Sequence, residues 1–111
     1  MTVKELAEKL KLKVIVDSDN DTEITGCYIG DLLSWVMGRA QEGNVWITVM
    51  GNINGIAVAV LSGVSCILLA EDAQMDNDAV ARAKQQDVPV FCSSETAYTL
   101  SKQVSRLLGD E

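Results

Sequence analysis

The sequence predicts a three-layer, Rossmann-like α/β domain, with a mostly parallel sheet flanked by helices, on three observations. Residues 45–49 and 66–70 are apolar at nearly every position, as strands covered on both faces are. Between them runs an apolar segment of helix length, opened by Gly51-Asn52 and closed by Gly63, so strand, helix and strand form a βαβ unit. Helical and extended patterns alternate along the rest of the chain with no Pro/Gly-rich linker, repeat or low-complexity tract, which places residues 1–111 in a single domain.

Thr2 and Glu5 stand at the spacing of a capping box, and Val3, Leu6, Ala7 and Leu10 follow at helical intervals. Residues 13–16 form a brief strand, ended by the polar run 17–21. Residues 24–29 form a further extended segment leading to Gly30-Asp31, where Asp31 can cap a helix carrying Leu32, Leu33, Val36 and Met37. Gly43-Asn44 turns the chain into the central βαβ unit. Asp76 or Asn77 can start a thin-striped helix with Val80 and Ala83 inward, and Pro89 opens the strand at 87–92 or marks a sheet edge. Ser93 or Ser94 then caps a last helix with Ala97, Leu100, Val104, Leu107 and Leu108 on one face, and Gly109-Asp110-Glu111 are expected to fray.

Of 111 residues 48% are hydrophobic, ample for one core. The net charge of −7 comes with only nine scattered basic residues, so no patch can neutralise phosphates and nucleic acid is not an expected partner. The charged amphipathic start is not a secretory signal, and no apolar run reaches the roughly 20 residues needed to span a bilayer. A cytoplasmic protein is expected. Cys27, Cys66 and Cys92, odd in number and widely spaced, fit free thiols better than a disulfide framework.

The segments DTEITGCYIGDLLSWVM, GNVWITV, NGIAVAV and DVPVF together resemble the DRTGG domain family. Asp21, Thr25 and Gly26 match its namesake element, residues 31–34 its DLLS helix start, and Trp46-Ile47-Thr48 its W-I-T strand. Thr22 stands where the family usually has arginine, and Cys27 where it has a second glycine. The resemblance implies a Rossmann-like module similar to the amino-terminal domain of HPr kinase/phosphorylase, with a regulatory role through ligand sensing or dimer contacts.

The residues themselves argue against chemistry. No G-x-x-x-x-G-K-[ST] string is present and none of the six lysines follows a glycine, so the chain lacks a phosphate cradle. It has no histidine, which excludes Ser-His-Asp and Cys-His schemes. Asp17, Asp19, Asp21 and Glu23 alternate like the start of a calcium loop, but Thr22 and Tyr28 replace its required glycine and glutamate. No metal and no cofactor are implied.

Candidate ligand-binding positions are Thr25, Gly26, Cys27, Asp31, Gly51, Asn52, Asn54, Ser93 and Ser94, at strand ends where helix N-termini favour anions. Thr25-Gly26 and Ser93-Ser94 share a rim with Gly51-Asn52 if the strand order brings them together, and Gly51 and Asn52 also serve as ordinary turn residues without a ligand. In the central helix Ile53, Ile56, Ala57, Val60 and Leu61 share one apolar stripe while Val58 and Ala59 fall outside it. A helix apolar nearly all round wants both its sheet and a second subunit, so Ile53, Ile56, Val58, Ala59 and Val60 are the expected dimer interface. The expected function is therefore a non-catalytic, homodimeric regulatory module with a nucleotide or other small anionic ligand. The alternatives are an adaptor for an enzyme complex and an enzyme acting through Cys27.

Overall fold

A computed structural model describes residues 1–109; the expectation for Asp110 and Glu111 lies outside them. The chain forms α1 (Val3–Lys9), β1 (Lys13–Val16), β2 (Gly26–Ile29), α2 (Leu33–Arg39), β3 (Asn44–Thr48), α3 (Ile53–Ser62), β4 (Cys66–Leu69), α4 (Asn77–Gln85), β5 (Val90–Cys92) and α5 (Ala97–Leu108). The strands make one sheet in the order β1-β5-β4-β3-β2. β2 to β5 are parallel, and β1 closes the far edge antiparallel to β5.

The predicted α/β architecture is present, and its central βαβ unit is β3-α3-β4. Every residue of β3 and β4 is buried, because helices cover both faces. Trp46, Ile67, Leu69 and Val90 meet Val36, Ile56, Ala59, Ala79 and Ala83 on one face. Val45, Ile47, Cys66 and Leu68 meet Val3, Leu6, Leu100 and Val104 on the other. These partners place α2, α3 and α4 in one layer and α1 and α5 in the opposite one.

Local signals set the helix ends. Thr2 and Glu5 form the expected capping box. Asn52 caps α3 by accepting from the Gly55 N–H, and Gly63 ends it at φ 72°, which a residue without Cβ adopts at little cost.

Several expectations are corrected. The α2 cap position is Leu32, with no side-chain bond, because Asp31 faces the next strand instead. Thr96, not Ser93 or Ser94, caps α5 by accepting from the Thr99 N–H. In α4 the inward pair is Ala79 and Ala83, with Val80 partly buried. The strand expected from residue 24 begins at Gly26, because Glu23 instead bridges to Thr2.

The interface expectation is corrected most. Ile56, Val58 and Ala59 are closed inside the subunit and Ile53 packs partly against the same cluster. α3 has α2 and α4 beside it as well as the sheet beneath it, and these neighbours use up more of its circumference than a single stripe would. Of the five residues only Val60 is exposed, with Ala57 and Leu61 next to it.

Candidate functional site

The predicted rim is divided between the two ends of the sheet. Thr25 and Gly26 lead into β2 and lie at the amino ends of the parallel strands, whereas Asp31, Gly51, Asn52, Asn54, Ser93 and Ser94 follow β2, β3 and β5 at the carboxyl ends. A single site containing both sets does not form.

At the carboxyl end of β3 the chain fills its own space, while a hollow of about 400 Å³ lined by Lys13, Asp72 and Cys92 remains beside β5. The Gly51 carbonyl accepts from the Asp76 N–H at 2.8 Å, and a Cβ on Gly51 would overlap the Gln74 carbonyl oxygen and come within 2.8 Å of Met75 Cα. The close approach that glycine permits is thus made by the protein's own backbone. Asp31 Oδ1 accepts from Thr48 Oγ1 at 2.7 Å and from the Val49 N–H at 2.9 Å, tying the end of β3 to the turn after β2. Glu71 and Asp72 both sit at φ 57°, a region that is costly for residues with a Cβ. They are held there as their N–H groups donate to the carbonyls of Glu95 and Ser93. The exposed side chains gathered by these loops, Glu71, Asp72, Asp76, Ser94 and Glu95, are mostly acidic, which opposes an anion.

The amino ends are held by side chains. Ser65, which is buried, donates to the Gly43 carbonyl at 2.8 Å and accepts from Thr22 Oγ1 at 2.9 Å. Thr25 donates to the Glu42 carbonyl at 2.7 Å and accepts from Asn44 Nδ2 at 3.3 Å. Asp21 accepts from the Lys4 N–H at 2.9 Å. Gly43 is obligatory here: its φ is 85°, and a Cβ would stand 2.6 Å from Thr25 Cγ2. The Thr-Gly element therefore fastens α1, β2, β3 and β4 to one another. Above this clasp opens a cleft of about 540 Å³, floored by Ala59, Val64 and Val88 and edged by Glu23, Glu42 and Asp87. The sequence signal for it was present in the Thr22-to-Gly26 element and the Gly43-Asn44 turn, but nothing local says that they meet.

Cys27 packs into the cluster beneath α5, and burial pushes its thiol up to about 11. Burial, with a smaller contribution from Cys27, takes Cys66 to about 12, and burial raises Cys92 as well. At neutral pH all three are thiols, not the thiolates that attack or bind metals. Among the described residues no group of three or more His, Cys, Asp or Glu is placed to hold a metal ion, and no helix is long and apolar enough to cross a membrane.

A clasped, acidic, three-layer fold with buried thiols defines a small α/β module. Residues 5–107 match the DRTGG domain, and the chain belongs to that family. No curated protein matches it. Among solved structures it is similar to the CBS and DRTGG domains of the regulatory region of Clostridium perfringens pyrophosphatase, complexed with the activator diadenosine tetraphosphate. The two share 11% identity at a TM-score of 0.68, over 91% of this chain and 44% of that one, so the chain spans less than half of that regulatory region.

Proposed function

We propose that the chain is a non-catalytic regulatory module that works as a homodimer in the cytoplasm and acts through protein contacts. The observation that carries this reading is the closed end of β3, where Gly51 is packed against the 74–76 backbone. The surface left for recognition is the helical exterior, where Leu32, Trp35, Leu61 and Tyr98 are more than half exposed. The lack of histidine supports the non-catalytic part. Sedimentation equilibrium at tens of micromolar tests the reading: a two-chain mass is expected, and a monomer overturns it.

Nucleotide sensing is the second reading, favoured by the activator bound to the similar regulatory region. The carboxylates of Glu23, Glu42 and Asp87 around the open cleft count against a phosphate group there. Diadenosine tetraphosphate at 100 times its dissociation constant would stabilise the fold by about 2.7 kcal/mol. An unchanged melting temperature with millimolar diadenosine tetraphosphate or ATP removes this reading.

A further inference from the structure

We propose that a second copy of this chain docks on the outer face of α3, antiparallel about a two-fold axis, with each Leu61 entering the other copy's groove between α3 and α4. The inference rests on the homodimeric reading and supplies its surface. α3 carries no charged residue, and none occurs anywhere between residues 43 and 70. On its outer side Leu61 is 73% exposed and Val60 44% exposed. Ile56, Ala57, Val60 and Leu61 of α3, with Arg82 and Gln86 of α4, line a groove of about 200 Å³.

Charge selects the occupant. At a net −7 most faces of this chain repel a second copy, while the outer side of α3 presents it with no carboxylate. The charges beside the groove are ordered so that antiparallel copies attract. Arg82 lies on its α4 wall, and Asp87 follows the end of α4 in the adjoining cleft that also contains Val60. Neither has an ion-pair partner among the described residues. A two-fold axis across α3 lays Arg82 of one copy towards Asp87 of the other, and symmetry repeats the pair. A standard interface takes about 800 Å² from each partner, so the contact extends from the groove over the exposed sides of α2 and α4.

Sedimentation equilibrium of the full chain from about 1 to 200 μM tests this, with melting temperature and circular dichroism confirming that each variant is folded. Leu61→Glu is expected to raise the dimer dissociation constant about tenfold or more. Arg82→Glu and Asp87→Arg are each expected to raise it about threefold, and the two together to bring it back to within about twofold of the unaltered chain. Lys102→Gln on α5, an exposed position in the opposite layer, is expected to leave it unchanged. A folded Leu61→Glu that dimerises normally, or a charge swap that does not restore, overturns this surface and leaves the homodimer standing. An unaltered chain that is monomeric throughout overturns both.

Discussion

At the carboxyl ends of the strands the Asp76 N–H reaches the Gly51 carbonyl and backbone lies directly on backbone. At the amino ends the hydroxyls of Thr22, Ser65 and Thr25 reach across from loop to loop, and a cleft remains above them. Backbone packed on backbone at Gly51 leaves no volume there, whereas side chains that bridge a gap hold it open. The topology explains why no crevice opens at the end of β3. Crevices at strand carboxyl ends form where successive helices leave to opposite faces of a sheet. Here α2, α3 and α4 stay in one layer while the chain winds steadily from β2 to β5, so the parallel strands have no switch point.

Gly51→Ala breaks the carboxyl end most directly. The new Cβ overlaps main-chain atoms of Gln74 and Met75 that have no rotamer to move into, so the loop must shift and the Asp76 bond with it. A loss of about 3 kcal/mol is expected in urea unfolding; a loss under about 1 kcal/mol would mean that the loop is not seated on Gly51. At the amino end Ser65→Ala removes the hub of the clasp. The Gly43 carbonyl still accepts from the Thr25 N–H and is not orphaned, so the expected loss is smaller, about 1–2 kcal/mol. Were Ser65→Ala the costlier of the two, the ranking of the ends would reverse.

What the sequence made legible follows the range of the interactions. The Thr2-Glu5 capping box, the Asn52 cap and the Gly63 terminus are satisfied within one helix, so the residues that specify them are neighbours in the chain. The strand ends depend on partners far apart: Asp31 with Thr48, Gly51 with residues 74–76, Thr22 with Ser65. No periodicity encodes those pairings, and so Thr25 and Gly51 were expected on one rim when they lie at opposite ends. The burial of Ile56, Val58 and Ala59 was illegible for another reason. A helix without a charged residue has no polar face to mark its outside, so its pattern cannot say which side the neighbouring helices take.

Asp31→Ala sharpens the account of the carboxyl end, because it removes a side-chain tie while leaving the Gly51 contact in place. Water can replace an exposed carboxylate, so the loss of the Thr48 and Val49 bonds is expected to cost only about 1 kcal/mol in the same urea assay. A cost equal to that of Gly51→Ala would show that Asp31, not the packed backbone, holds the carboxyl end together.

The smallest expected effect concerns Cys27, which follows the Thr-Gly element at the amino end. Burial raises its thiol from an ordinary 9.0 to about 11, so the folded chain keeps the proton that the unfolded chain releases. The stabilisation associated with that protonated state is complete below pH 9 and is lost as the pH rises from 9 towards 11, where folding resists ionisation. At pH 9.5 the loss is roughly 0.8 kcal/mol. Urea unfolding of the unaltered chain and of Cys27→Ser at pH 7 and pH 9.5 isolates it, since Cys66 is common to both: the unaltered chain is expected to lose more stability between the two pH values. If Cys27 were an activated thiolate belonging to the cleft, its contribution would change sign, and the unaltered chain would gain on Cys27→Ser as the pH rises towards 9.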